Sequence, residues 1–230
     1  MSVRKRPFRD QTCSALPMDK AAAVWFFNML PSLYMHTGWR QRLVDQPWCY
    51  TLFSSAIEQG ELSKHILRQI GIEHNVWLDW DGPEASIALY TDSAAFLRLA
   101  DYLGHVLLAQ HVRRAIGREE RLAWHTALGE QRYDFLCKQA ALKIGDGLSQ
   151  GFANVEVTPA SFTTRAPVIG LHVLIAACEQ LPTALGRRLL LKLPPLAMLS
   201  RIDRPVLTQH SEIWPWIQRM WRELQLQSSR

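Results

Sequence analysis

Cysteine is scarce and scattered in this 230-residue chain. Cys13, Cys49, Cys137 and Cys178 stand alone, and no C-x-x-C pair occurs. A chain of this length does not need disulfide staples, so the four read as small buried hydrophobes or free thiols in a reducing compartment. Long apolar runs are also lacking. The longest nearly apolar stretch runs from Ala166 to Cys178 and is interrupted by His172. As a helix it would span about 20 Å, short of the roughly 30 Å hydrocarbon core, so no membrane span is expected. The opening Met1-Ser2-Val3-Arg4-Lys5-Arg6-Pro7 is basic but precedes no apolar segment. It is therefore not expected to be a secretory signal.

Catalytic and ligand-binding signatures are missing too. The eight histidines are dispersed, and no H-E-x-x-H occurs; tetrahedral metal sites need ligands converging at fixed spacing. Asp79-Trp80-Asp81-Gly82 has the look of an acidic metal loop, but Ile87, Ala88 and Leu89 occupy the region where a closing Glu would be required. Gly145, Gly147 and Gly151 follow a predicted helix. A dinucleotide fingerprint works between a strand and a helix N-terminus, where backbone amides cradle pyrophosphate. Neither a phosphate-binding G-x-x-x-x-G-K-[ST] nor a G-x-S-x-G nucleophile elbow is present. Glu119-Glu120 lies in the first turn of a predicted helix, where carboxylates favour the positive end of the dipole. No catalytic residue, cofactor or metal is expected.

What is present points to a packed helical protein. Nearly half the residues are apolar, nine are Trp, and the charged fraction is an ordinary 20%, enough to build a sizeable core. Residues 1–17 read as a flexible lead-in, and 18–230 as a single helical domain. A Gly-rich segment, 145–160, is the candidate boundary between two sub-layers. Asp19 is placed to cap a helix that Pro31 stops, and a second helix is expected over Gly38 to Asp45. Gln46-Pro47 restarts the chain, and Trp48, Leu52, Phe53 and Ala56 share a face that Gly60 ends. Leu62, Ile66, Leu67 and Ile70 repeat the pattern up to Gly71. From Asp92 or Ser93, one stripe (Phe96, Leu99, Leu103, Val106) gives way to another (Leu108, Val112, Ile116) near Gly104, where a bend or break is expected.

Further helices are predicted over 118–128, 130–141, 165–181, from Pro182, and over 212–226. The helix over 165–181 is apolar all round, which implies burial on most sides. In the one opened by Pro182, Leu185, Leu189 and Leu193 point inward, and Arg187, Arg188 and Lys192 outward. At the C-terminus, Ile213, Ile217, Met220 and Leu224 form a stripe, and at least two of Trp214, Trp216 and Trp221 join the core. Residues 76–90 break the helical rhythm. Val76, Leu78 and Trp80 alternate with their neighbours, Asp81-Gly82-Pro83 is turn chemistry, and Ile87 and Leu89 alternate again. A short β-hairpin is the expectation there; an extended loop packed by its tryptophans is the alternative. The fold class is all-α: an irregular multi-helix domain with at most that one hairpin.

Net charge is +5, a statement about solubility first and about an acidic partner, an anionic membrane surface or nucleic acid second. Two basic groups stand out. Arg113, Arg114, Arg118 and Arg121 gather at a helix junction; Arg187 and Arg188, with Lys192, share a helix with an apolar stripe. They are either the solvated side of amphipathic helices or forks that dock acidic partner surfaces. Nucleic-acid binding would need a longer basic track with stacking aromatics, which is not present.

The segment from Asp101 to Leu142, DYLGHVLLAQHVRRAIGREERLAWHTALGEQRYDFLCKQAAL, resembles the SctK/YscK (PscK-like) family, the accessory subunit of the type III secretion sorting platform. The features that carry the resemblance are a leucine-rich helix ending in Arg113-Arg114, a short charged helix, and Leu128-Gly129-Glu130 with Tyr133. Downstream come the apolar helix 165–181, Leu181-Pro182, and the run Arg187-Arg188-Leu189-Leu190-Leu191. The likeness covers the central and C-terminal two thirds of the chain. It implies a non-enzymatic cytoplasmic adaptor, peripheral to the inner membrane through protein contacts and without a cofactor. The implied partners are the C-ring-like sorting-platform subunit (SctQ type) and the forkhead-associated-like cytoplasmic domain of the inner-membrane ring protein (SctD type). Two other classes stay open: a helical enzyme whose site is assembled from dispersed residues, and a basic binder of nucleic acid or anionic lipid.

Overall fold

The computed structural model describes residues 19–43, 55–143, 152, 155–195 and 213–228, and every regular element among them is helical. The expected lead-in over 1–17, the boundary over 145–160 except for residues 152 and 155–160, Cys13, Cys49 and the Gln46-Pro47 restart lie outside the described residues.

Helix starts follow local chemistry. Lys20–Met29 (α1) begins after Asp19, whose side chain makes no capping bond. Pro31 follows the end of α1 and takes the first position of Pro31–Tyr34 (α2), where its missing N–H is no loss. Thr37–Leu43 (α3) comes next. Ala56–Gln69 (α4) opens with a reciprocal capping box between Ser55 and Glu58. It runs straight through Gly60, which the sequence had suggested as a stop.

Pro83–Tyr90 (α5) is the clearest departure from expectation. Residues 76–82 form the extended, tryptophan-bearing loop of the alternative reading, but 83–90 is a helix and no hairpin exists. Pro83 sits at its first turn after Gly82, and Ala85, Ile87 and Ala88 are buried. Ile87 and Leu89 lie on different sides of a short helix that is apolar on both sides, which gives the appearance of alternation.

Ser93–Arg113 (α6) is capped by Asp92, which accepts from the Ala95 N–H at 2.6 Å. Arg118–Leu128 (α7) ends at Gly129 (φ 74°), and Glu130–Lys138 (α8) follows with a 3₁₀ turn over Ala140–Lys143. Pro159–Glu179 (α9) begins with a Thr158–Ser161 capping box. Thr183–Leu190 (α10) and Ile213–Ser228 (α11) complete the order.

The core is organised around the crossing of α6 and α9. α6 does not bend at Gly104; it runs unbroken from Ser93 to Arg113. Gly104 is there for proximity instead. A Cβ on it would stand 1.7 Å from the Ala166 carbonyl oxygen, and a Cβ on Gly170 would stand 1.7 Å from that of Ala100. Each helix thus presents a glycine to the other's backbone, and Leu99, Leu103, Val106, Ile169, Val173 and Leu174 fill the space around the crossing. At 21 residues α9 is long and apolar enough to cross a membrane by composition, but 61% of its most apolar window is buried inside the protein. It serves as the central strut of the core, as its apolar periphery predicted. α11 closes one side against α5 and α6. Trp214, Trp216 and Trp221 are all buried, with Trp214 Nε1 donating to the Ala177 carbonyl and Trp216 Nε1 to that of Lys143.

Candidate functional site

Sequence patterning put Arg187, Arg188 and Lys192 on the solvent side of α10. Only Arg187 is exposed. Arg188 and Lys192 are each 1% exposed, so the outward placement of these two is corrected. A buried cation is costly unless it finds donors' partners close by, and here helix ends supply them. Lys192 Nζ donates to the carbonyls of Ala88 at 2.6 Å and Thr91 at 2.5 Å and to Thr91 Oγ1 at 3.3 Å. It also lies 5.3 Å from the Phe27 ring centre and 5.2 Å from that of Tyr34, within cation–π range. Arg188 donates through Nε and Nη2 to the Asn28 carbonyl, at 3.4 and 3.3 Å, and through Nη1 to its own helix at Ala184, 2.8 Å.

The last carbonyls of a helix have no partner within it and carry the negative end of its dipole. The last turn of α1 is therefore closed by Arg188 and by the Tyr34 hydroxyl, which donates to the Phe27 carbonyl at 2.8 Å. The end of α5 is closed by Lys192. The end of α10 is closed in return: Trp39 Nε1 donates to the carbonyls of Leu190 (3.3 Å) and Leu193 (2.7 Å), and the His36 N–H to that of Leu191 (2.7 Å). The N-terminal helices and α10 thus cap one another. Burial pushes the Lys192 amine down to about 7, the nearby Asp92 carboxylate opposing it, and burial lowers Arg188 as well. Arg188 is a structural residue here, and its side chain is not accessible to a partner. Arg187 donates to the Ile70 carbonyl through Nη1 and borders a mostly apolar pocket of about 340 Å³ with Trp39, Ile175 and Pro194.

The other four candidate arginines behave differently. Arg113 and Arg114 end α6, Arg118 and Arg121 begin α7, and all four are exposed. Among the described residues none of them forms a salt bridge. Two large apolar side chains are exposed among them, Ile116 at 85% and Leu122 at 64%. Leu122 borders a shallow groove of about 510 Å³ walled by α7 and by Pro159 and Ala160 at the start of α9. Trp124, on the opposite side of α7, holds that helix down, its ring edge-on to Phe162 at 5.4 Å. Glu119 and Glu120 occupy the first turn of α7, as their spacing predicted. The junction is a firmly seated platform carrying four exposed guanidinium groups, without a salt bridge among the described residues, beside apolar side chains.

A second exposed surface was not anticipated. Asn28, buried in α1, donates from Nδ2 to the Trp77 carbonyl and accepts at Oδ1 from the Trp77 N–H, both at 2.9 Å. This pair of bonds lays the 76–81 loop along α1. Trp25 and Met29 of α1 are exposed, as are Val76 and Leu78 of the loop. The alternation at 76–80 did not mark this surface: Val76, Leu78 and Trp80 share one phase of it, yet Trp80 is buried while Val76 and Leu78 are exposed.

A polar cleft of about 580 Å³ between α6 and α8 is lined by Arg98, Asp101, His105 and Arg132 among others, with neither serine nor cysteine. His105 Nδ1 stands 2.7 Å from the Asp101 carbonyl and 3.3 Å from its carboxylate, an i,i+4 contact along one helix. Cys178 is buried, and burial drives its thiol far above the ordinary range, which disfavours the nucleophilic thiolate. Among the described residues no three His, Cys, Asp or Glu side chains converge as metal ligands.

The described residues form an all-α protein whose exposed faces include an arginine-bearing helix junction and clusters of apolar side chains. The chain belongs to the YOP proteins translocation protein K (YscK) family, whose profile matches residues 22–225, and it is thus a type III secretion protein. The match takes in most of the N-terminal hundred residues, where the resemblance read from the sequence did not reach. No curated protein and no solved structure matches the chain.

Proposed function

We propose that this protein is a non-enzymatic cytoplasmic adaptor of the type III secretion injectisome. It links the sorting-platform pods to the cytoplasmic domain of the inner-membrane ring, and reaches the membrane only through protein contacts. Its family membership over residues 22–225 carries the reading. The α6–α7 platform supports it, because Arg113, Arg114, Arg118 and Arg121 are exposed without a salt bridge among the described residues, and guanidinium forks pair with carboxylates across interfaces. The partners are the C-ring-like sorting-platform subunit and the forkhead-associated-like domain of the ring protein. An acidic face on one of them meets this platform.

Two purified partners and the full chain are enough for the test. In R113E/R118E, affinity for one partner is expected to fall at least tenfold, a loss of about 1.4 kcal/mol or more. Thermal stability should stay close to wild type, since neither side chain is buried. Unchanged affinity for both partners would show that the platform is not a docking surface. Failure of the wild-type chain to bind either partner would overturn the adaptor reading itself.

A further inference from the structure

We infer that the chain carries a second docking surface, opposite in charge to the arginine platform and at the other end of α6. It is made by Trp25 and Met29 of α1 and by Val76 and Leu78 of the adjoining loop. It accepts an apolar segment of a partner protein that bears lysine or arginine beside its apolar side chains.

Placement comes from the capping contacts. Ser93, the first residue of α6, donates from Oγ to the Lys192 carbonyl at 2.8 Å. The Lys192 ammonium in turn rests on Thr91 and faces Phe27 and Tyr34. α1 therefore lies at the start of α6, and Asn28 holds the 76–81 loop against α1. The arginines lie at and just beyond the last turn of α6. Twenty-one helical residues separate the two ends by about 30 Å, so partners at both ends could be held at once by one stiff helix seated in the core.

Chemistry identifies the occupant. Leu78 is 74% exposed and Trp25 58%; large apolar side chains clustered on two adjoining elements are unusual for free solvent-facing surface, and Trp is a frequent interface anchor. Asp79 and Asp81, exposed in the same loop, have no ion-pair partner among the described residues. Glu73, just upstream, is already matched by Arg68 at 3.0 and 2.8 Å, so the acidic character of this end rests on the two aspartates. Lys20, in the first turn of α1, is a cation on the same helix. A basic flank on the incoming segment is complementary to Asp79 and Asp81, and it would be repelled by the platform at the far end.

The inference rests on the adaptor reading for its two partners, and the experiment separates the two. The full chain, its W25S/L78D and D79K/D81K variants and R113E/R118E are each titrated with both purified partners, and their self-association is followed by sedimentation. W25S/L78D and D79K/D81K are expected to weaken the same partner at least tenfold and to leave the other within twofold, while R113E/R118E shows the reverse. If the loop variants change neither affinity although the wild type binds, the second surface is overturned. It is also overturned if the loop variants and R113E/R118E weaken one and the same partner. Self-association that the loop variants abolish would make a second copy the occupant and overturn the partner chemistry. Deletion of residues 1–18 that strengthens binding tenfold would assign the surface to the chain's own basic lead segment, with the same consequence. Binding of neither partner by the wild type overturns the adaptor reading, and this surface with it.

Discussion

Gly104→Ala is expected to cost about 3 kcal/mol of folding stability, toward the upper end for an overpacked core, with a matching fall in the urea midpoint. The added methyl would stand 1.7 Å from the Ala166 oxygen, 2.5 Å from its carbonyl carbon and 3.1 Å from its Cα. All three are backbone atoms, so no side chain can swing aside. Relief requires α9 to lift off α6, which loosens the layer of Leu103, Ile169 and Val173 beside the crossing. Gly170→Ala pushes at the same crossing from the other helix, against the Ala100 carbonyl. Because both substitutions separate one interface, their costs should fall short of additive in the double variant. Gly60→Ala supplies a contrast of opposite sign. It sits inside α4 with nothing within 4 Å of the new Cβ, and removing a glycine from a helix interior should add about 0.5–1 kcal/mol. A Gly104→Ala protein as stable as wild type would mean that the helices do not cross this closely.

Between pH 7 and pH 10, wild-type stability is expected to rise relative to that of Lys192→Met. Burial places the Lys192 amine at about 7 in the native protein, against an ordinary 10.5 in the unfolded chain. Below pH 7 both states hold the proton, and this residue contributes no slope. Between about 7 and 10.5 the unfolded chain binds a proton that the native chain does not, so unfolding becomes steadily less favourable as pH rises. Above 10.5 neither state holds it. The slope approaches about 1.4 kcal/mol per pH unit in the middle of that window. Methionine keeps the side-chain length and removes the titration, so the difference between wild type and K192M, followed by urea unfolding from pH 6.5 to 10, isolates the effect. An identical pH profile in the two proteins would show that the amine keeps an ordinary affinity for its proton in the folded state. At neutral pH the methionine variant also loses the donors to the Ala88 and Thr91 carbonyls, so its absolute stability reflects two opposed terms, whereas its slope reflects only one.

Helix positions along most of the chain were legible because caps and prolines act locally. Pro31, Asp92 and Gly129 mark boundaries through their own backbone geometry or through bonds within a turn. The failures share a cause. At Gly104 a stripe changes register, which looks like a bend when α6 is considered alone; only α9 reveals that the missing Cβ makes room for Ala166. At 83–90 period-two alternation and a short apolar helix give nearly the same pattern over eight residues, and burial of α5 against α1 and α11 decides the matter. Arg188 and Lys192 carry the ordinary marks of a solvated helix face, and nothing near them in sequence announces that the ends of α1 and α5 will need donors there.

The candidate surfaces divide in the same way. The arginines at 113, 114, 118 and 121 straddle a helix junction, so their proximity and exposure follow from short-range geometry. The pairing of α1 with the 76–81 loop depends on Asn28 meeting Trp77 across 49 residues, a contact that no local rule supplies.

By itself the sequence determined the helical class, the Asp92-capped start of α6, the helix that Pro182 opens, the apolar helix at the centre and the arginine junction, since each is set by residues within a turn or two of one another. Tertiary structure alone decided which glycines serve close approach, which cations are interior and which apolar side chains stay outside. Those outcomes depend on whether a distant backbone arrives to exclude water or to accept a hydrogen bond, and the free energy of a buried charge or a missing methyl group has no sign until that neighbour is in place.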